Sequence, residues 1–384
     1  MSLNDTPQSE RLTIVVIGAC NSGKSSVINM LADQEVSLVS NIAGTTTDPV
    51  KKAIELPEVG ATLLVDTAGF DDESILGEER IALTKKALSS ADLVLLLIGE
   101  NNKLEYEWEV ELISLSKPYI KVANNKDLRQ IDCDGAINVD ALHKIGRMEL
   151  IEAILRKIPS DFASQDLLRG LVKEGDTVLL VMPQDKQAPK GRLILPQVQT
   201  IRTLLDHGCM AISTIPQKLT ETLNKINGKP DLVITDSQVF DFVENNIPTE
   251  CRLTSFSVLM AAYKGDINYF VESAKKIKEL NGNSRVLIAE ACTHTPATED
   301  IGRVKIPAML RKLAGESIKI DIVSGKDFPW NVKDYDLVIH CGGCMFNRQM
   351  ILSRVGICKR DGVSMTNYGI TIAFLKGILN RVVY

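Results

Sequence analysis

Short apolar runs recur at close intervals in the first part of the chain. Leu12–Ile17, Leu63–Val65, Leu93–Ile98 and Ile120–Val122 are nearly uninterrupted hydrophobic stretches, the pattern of strands buried on both faces of a parallel sheet. Between them the period shifts to that of amphipathic helices, in Lys24–Ala32, Glu78–Leu88 and Met148–Ile158. The polar Pro159-Ser160-Asp161 marks a boundary. The rhythm then resumes, with strands at Thr177–Met182, Met210–Ser213 and Leu232–Thr235 and helices at Leu195–Leu205 and Leu219–Ile226. A third block starts near Asp266 with a helix over Tyr269–Leu280, followed by strands at Arg285–Ala289 and Asp336–Ile339. The pattern predicts an α/β protein: a larger doubly wound, mostly parallel sheet over residues 1–162, then two smaller α/β domains over 163–265 and 266–384.

Composition narrows this only slightly. The 384 residues are 45% apolar and 24% charged, with a net charge of −5, which is ordinary globular usage. No basic run is long enough to track a phosphate backbone, so nucleic acid is not the expected partner. Eight cysteines are too few for a disulfide scaffold and suit reduced thiols in a cytoplasmic protein. No apolar stretch reaches eighteen residues, so no membrane association is expected.

The chemistry begins after the first strand. Gly18-Ala19-Cys20-Asn21-Ser22-Gly23-Lys24-Ser25 matches a P-loop between a strand and a helix, the context in which backbone N–H groups cradle phosphate. Gly18, Asn21, Ser22, Gly23, Lys24, Ser25 and Ser26 are the phosphate-side candidates. Lys24 supplies charge to the β/γ-phosphates, and the Ser25 hydroxyl reaches Mg²⁺. Asp66-Thr67-Ala68-Gly69 and Gly44-Thr45-Thr46-Thr47-Asp48 resemble the two switch segments of GTPases. Asp66 and Thr46 are thereby candidates at Mg²⁺, and Gly69 is the candidate sensor of the γ-phosphate. Asn124-Asn125-Lys126-Asp127 keeps the Asn and Asp of the guanine-reading motif, and Asp140-Ala141 follows, with the Ala141 N–H as a further base contact. These motifs in this order point to GTP/GDP as the nucleotide. Phe70 stands where a water-orienting Gln is common, so intrinsic hydrolysis is expected to be slow. Asn21 and the Ile42–Thr46 segment look like the potassium-activated GTPases of tRNA modification and ribosome assembly (the TrmE/Era-like group). That resemblance implies a K⁺ ion held by Asn21.

A second constellation lies far from the first. Cys292-Thr293-His294 follows one expected strand, and His340-Cys341-Gly342-Gly343-Cys344 follows another. Ligands gather at the carboxyl ends of parallel strands, and Cys-x-x-Cys around two glycines lets two thiolates share a metal. By spacing alone, zinc and an iron–sulfur cluster are both open. Cys20, Cys133, Cys209, Cys251 and Cys358 are expected to be packing residues, and His143 and His207 surface residues.

The whole arrangement resembles the FeFe-hydrogenase maturation GTPases, the HydF family. The likeness includes Ala188–Gln197, Tyr263-Lys264-Gly265-Asp266 and Thr366-Asn367-Tyr368-Gly369. It implies that Cys292, Cys341 and Cys344 hold a 4Fe–4S cluster, with the fourth iron left to water, to His340 or His294, or to an incoming group. It also implies a middle dimerisation domain and a homodimer. The implied work is assembly of a di-iron precursor with two radical S-adenosylmethionine maturases and its delivery to apo-hydrogenase. The alternative from another class is a zinc-containing GTPase of RNA modification or ribosome assembly.

Overall fold

The computed structural model describes residues 6–32, 49–69, 77–99, 102–124, 133–159, 162, 166–184, 193–227, 229–291 and 300–384. The chain divides into two compact units, Met1–Ser164 and Gln165–Tyr384.

In the first unit the elements run β1 (Leu12–Ile17), α1 (Lys24–Ala32), β2 (Val50–Leu56), β3 (Gly60–Asp66), α2 (Gly77–Leu88), β4 (Leu93–Ile98), α3 (Asn102–Ser114), β5 (Tyr119–Asn124), β6 (Ile137–Val139) and α4 (Arg147–Lys157). The sheet order is β2-β3-β1-β4-β5-β6. Among the described strands of this sheet only β2 runs antiparallel, as a hairpin with β3. Every residue of β1 is buried, and alternate residues serve opposite faces, as the pleat requires. Ile14 and Val16 pack with Val27 and Leu31 of α1 and Leu150 and Ile154 of α4. Val15 and Ile17 pack with Leu88 of α2 and Leu112 of α3. This is the expected doubly wound sheet. Arg147, opening α4, donates from Nε to Met30 O at 2.9 Å and from Nη2 to Leu31 O at 3.1 Å. A cation thus meets the carbonyls left over at the end of α1, where the helix dipole favours it.

The second unit continues with β7 (Thr177–Val181), α5 (Leu195–Asp206), β8 (Met210–Thr214), α6 (Leu219–Lys225), β9 (Leu232–Thr235), α7 (Phe240–Glu244), β10 (Arg252–Ser255) and α8 (Phe256–Lys264). It ends with α9 (Ile267–Ala274), β11 (Arg285–Glu290), α10 (Ile306–Ala314), β12 (Lys319–Ser324), β13 (Leu337–His340), α11 (Arg348–Asp361), β14 (Ser364–Asn367) and α12 (Tyr368–Leu375). These form two four-stranded parallel sheets, ordered β10-β9-β7-β8 and β12-β11-β13-β14. The two smaller α/β domains therefore share one compact unit. A single core joins Leu179 and Val181 of β7, Val258 and Ala262 of α8, and Val286 and Ile339 of the last sheet. Val383 N–H also donates to Leu253 O at 2.9 Å, tying the last residues back to β10. The helix expected over Tyr269–Leu280 begins earlier, because the Asp266 side chain caps it by accepting from Tyr269 N–H at 3.1 Å. It tightens into a 3₁₀ turn over Lys275–Glu279.

The cap on α1 is testable because each unit holds one tryptophan, buried Trp108 in the first and half-exposed Trp330 in the second. With Trp330 replaced by Phe, Arg147→Ala is expected to lower the stability reported by Trp108 fluorescence in urea by about 1 kcal/mol. An unchanged midpoint would show that the cap contributes nothing.

Candidate functional site

The P-loop leaves the carboxyl end of β1 at the centre of the sheet, between β3 and β4. Asn21 and Gly23 both adopt positive φ, 59° and 92°, so successive N–H groups turn into a concave nest of the kind that binds anions. Lys24, nearly buried, donates from Nζ to Gly18 O at 3.0 Å and Ala19 O at 2.7 Å, which holds the loop closed on its own lysine.

Ser25 Oγ donates to Asp66 Oδ2 at 2.6 Å, so the two expected Mg²⁺ contacts lie side by side. Burial raises the Asp66 carboxyl above its ordinary value, opposed by the Ser25 hydroxyl and the Lys24 charge. Its other oxygen, Oδ1, is buried with no hydrogen-bond partner among the described residues. A buried lone carboxylate oxygen beside a serine hydroxyl fits the hydrated Mg²⁺ of a bound nucleotide. Thr67 Oγ1 donates to Val16 O at 2.8 Å and locks this strand end to β1. Gly69 presses on the P-loop: a Cβ placed on it would stand 2.7 Å from Cys20 N and 2.3 Å from Cys20 Sγ. Cys20 itself is exposed, not packed as expected.

Asn124 ends β5 and is 5% exposed. Its Nδ2 donates to Ser22 O at 3.3 Å, and its Oδ1 accepts from Ala141 N–H at 3.1 Å. Asn124, expected to read guanine, thus clamps the P-loop to the 140–146 turn. The Ala141 N–H, expected at the base, is directed to that Asn. Asp140 closes the turn by accepting from the N–H groups of Leu142 and His143. Thr46, Phe70 and Asp127 lie outside the described residues.

The cysteine turn leaves the carboxyl end of β13. Cys341 Sγ accepts from Ala291 N–H at 3.0 Å and from Gly343 N–H at 3.4 Å. Ala291 is the neighbour of Cys292 in sequence, so the cysteine turn is bonded to the last described residue before Cys292, across the β11–β13 pair. Gly343 sits at φ 63°, where a side chain is strained, and a Cβ there would be 2.7 Å from Ile351 Cδ1. Burial pushes the Cys341 thiol up to about 11, against the pull of its two N–H donors. A sulfur given two backbone N–H bonds is suited to thiolate coordination. Cys292 and His294 lie outside the described residues, and among those described no group of three His, Cys, Asp or Glu side chains could hold a metal ion.

His340 is placed otherwise than as an open ligand. Its Nδ1 contacts Cys341 O at 2.7 Å and its Nε2 contacts Arg354 Nη1 at 2.7 Å. Because the guanidinium only donates, Nε2 accepts and Nδ1 carries the proton. Burial lowers the imidazole to about 3, with Arg354 adding to the effect. Both nitrogens are used, so in this arrangement His340 positions the turn and has no lone pair left for iron. Arg354 stacks over Phe328 and Phe346, at 4.9 and 4.6 Å from the ring centroids.

Two residues without an assigned role in the sequence complete the site. Asn367, in Thr366-Asn367-Tyr368-Gly369, donates from Nδ2 to Cys341 O at 3.4 Å and caps α12 by accepting from Gly369 N–H at 2.7 Å. Lys264, in Tyr263-Lys264-Gly265-Asp266, reaches the turn from α8, with Nζ donating to Gly343 O, Cys344 O and Phe346 O at 3.1, 3.3 and 2.6 Å. Both segments carry the family resemblance, which was the only signal available for them. Of the remaining cysteines, Cys209, Cys251 and Cys358 are buried as expected, and Cys133 packs against the first unit's core.

A P-loop with Asp66 bonded to its Ser25 and Asn124 bonded to its Ser22, all at the ends of parallel strands, goes with a P-loop GTPase domain. Residues 13–126 match the family model described as 50S ribosome-binding GTPase. Residues 167–265 match the hydrogen maturase F dimerization domain, and residues 268–384 the hydrogen maturase F tetramerization domain. The chain belongs to the hydrogen maturase F family.

Among curated proteins, it is 36% identical over 157 residues to the tRNA modification GTPase MnmE of Acholeplasma laidlawii, covering 40% of this chain and 34% of that protein. It is 39% identical over 122 residues to MnmE of Nitrosomonas europaea, covering 31% and 27%. The chain thus spans about a third of the length of these relatives. A solved structure of Aquifex aeolicus Era bound to GDP.AlF4− aligns at 18% identity with a TM-score of 0.33, covering 61% of this chain and 97% of that one.

The close approach of Gly69 yields a prediction. Gly69→Ala is expected to displace the P-loop backbone at Cys20 and weaken GTP binding at least tenfold, about 1.4 kcal/mol, as measured by nucleotide titration. Circular dichroism should stay unchanged. Undiminished affinity would show that the loop yields without cost.

Proposed function

We propose that this hydrogen maturase F family member is a GTP-hydrolysing scaffold that holds a 4Fe–4S cluster on Cys292, Cys341 and Cys344 and uses it to dock a di-iron precursor bound for apo-FeFe-hydrogenase. The observation that carries this reading is the Ala291 N–H to Cys341 Sγ bond at 3.0 Å, which places the cysteine turn against the strand end that leads into Cys292. Three thiolates would leave one iron for a replaceable ligand, and such an iron supplies reversible coordination of cargo. His294 or solvent takes that position in this reading, since both nitrogens of His340 are engaged.

In the first unit, Ser25 and Thr46 would hold Mg²⁺ directly and Asp66 through water, Lys24 would neutralise phosphate charge, and Asn124 and Asp127 would read guanine. Phe70 orients no water, so turnover is slow, and K⁺ at Asn21 supplies positive charge that a protein side chain does not. The partners are the apo-hydrogenase, two radical S-adenosylmethionine maturases and a second copy of the chain, in a reducing cytoplasm. Among the described residues no helix is long and apolar enough to cross a membrane.

Anaerobic reconstitution with iron and sulfide tests the cluster. The wild type is expected to gain broad visible absorption and a reduced-state EPR signal, and Cys341→Ser/Cys344→Ser to lose both. Stoichiometric zinc without iron in protein purified under anaerobic conditions would sink the reading in favour of a zinc-containing GTPase.

For the GTPase, exchanging Na⁺ for K⁺ should raise phosphate release on the order of tenfold, the scale of one well-placed charge. Asn21→Ala should abolish the difference. Equal rates in the two salts would remove K⁺ from the mechanism.

A further inference from the structure

The cysteine turn belongs to the hydrogen maturase F tetramerization match, but much of what holds it comes from α8, inside the dimerization match. The first turn of α8 carries Ser257, whose Oγ donates to Asn367 Oδ1 at 3.1 Å and accepts from Gly369 N–H at 3.2 Å. Asn367 in turn holds Cys341 O. The last residue of α8 is Lys264, on Gly343 O, Cys344 O and Phe346 O. One helix thereby fixes the carbonyls of both cysteines of the turn, directly at one end and through Asn367 at the other.

Lys264 is 2% exposed. Taking an ammonium out of water costs several kcal/mol even after relaxation, and a neutral donor would satisfy carbonyls at lower cost. The three N–H groups of the ammonium meet three carbonyls of one turn, and Gly343 O accepts from Phe346 N–H at 3.0 Å as well. A trans peptide points its N–H opposite to its C=O, so carbonyls drawn to Lys264 turn the Cys344 and Met345 N–H groups away from it. What a buried cation offers here beyond a neutral donor is charge. A cluster on three thiolates is an anion that becomes more negative on reduction, and fixed charge and hydrogen bonds around the sulfurs set its potential.

We infer that Lys264 is a positioning residue of the cluster site: from α8 it holds the Cys341–Cys344 turn, and its buried charge stabilises the reduced cluster, making the dimerization block part of the redox environment. The inference rests on the cluster reading above, and wild-type reconstitution separates the two. If wild type takes up no cluster, the cluster reading fails. If wild type loads, the variants judge Lys264.

The experiment is an EPR-monitored redox titration of anaerobically reconstituted full-length protein, comparing wild type with Lys264→Met and Lys264→Gln. Methionine removes charge and donors at similar volume, and glutamine keeps amide donors without charge. Both variants are expected to load iron and titrate at more negative potential. At the wild-type midpoint their reduced-to-oxidised ratio should fall at least tenfold, about 59 mV for a one-electron couple. Lys264→Arg, which keeps the charge, should stay near wild type. A loaded Lys264→Met or Lys264→Gln that titrates with wild type overturns the inference, since a purely structural lysine changes loading but not potential. If both neutral variants fail to fold by circular dichroism, Lys264 serves the fold and the electrostatic role is withdrawn.

Discussion

Parallel pairing is the constraint on which this molecule depends. A parallel strand must be re-entered from the same end, so each connection crosses a face of the sheet, and all the carboxyl ends collect along one edge. In the first unit that edge receives the P-loop from β1, Asp66 from β3 and Asn124 from β5. In the last sheet it receives Ala291 from β11, the cysteine turn from β13 and Asn367 from β14. The two sites differ in chemistry but share an origin: chain that is irregular because it is turning, anchored by strands that are largely buried.

Each site uses the same device to keep an irregular turn in place. Polar side chains capture its backbone carbonyls. Lys24 takes the carbonyls of Gly18 and Ala19 at the P-loop, and Lys264 takes those of Gly343 and Cys344 at the cysteine turn. The difference lies in who else competes for the lysine. At the P-loop an incoming phosphate can draw Lys24 off its carbonyls, whereas Lys264 is sealed in the core. The first is built to respond to its ligand and the second to stay.

The sequence makes most of the scaffold legible, and the gaps have physical causes. Strands such as Leu93–Ile98 and Leu232–Thr235 announce themselves because burial on both faces demands an unbroken apolar run. β12 does not, since Lys319–Ser324 lies at a sheet edge and carries charge between its apolar residues. α8 is hidden for the opposite reason: Phe256–Lys264 is buried on nearly all sides and shows no amphipathic period. With the helix unseen, nothing marked its terminal lysine as pointing inward. The P-loop and Asp66 are legible because phosphate chemistry allows few substitutes. His340 misled because nearness to cysteines suggests ligation, while its Arg354 partner stands in a helix that sequence alone did not bring close.

The continuous core between the two small sheets has an evolutionary consequence. The short stretch between residues 265 and 268 looks like a seam where modules could be exchanged, with one family domain ending and the next beginning. Yet Ser257 and Lys264 on one side serve the turn on the other, and Val258 shares a core with Val286 across it. Recombination at this point would join a helix and a turn that had never been selected together. The two blocks should therefore be inherited as a pair.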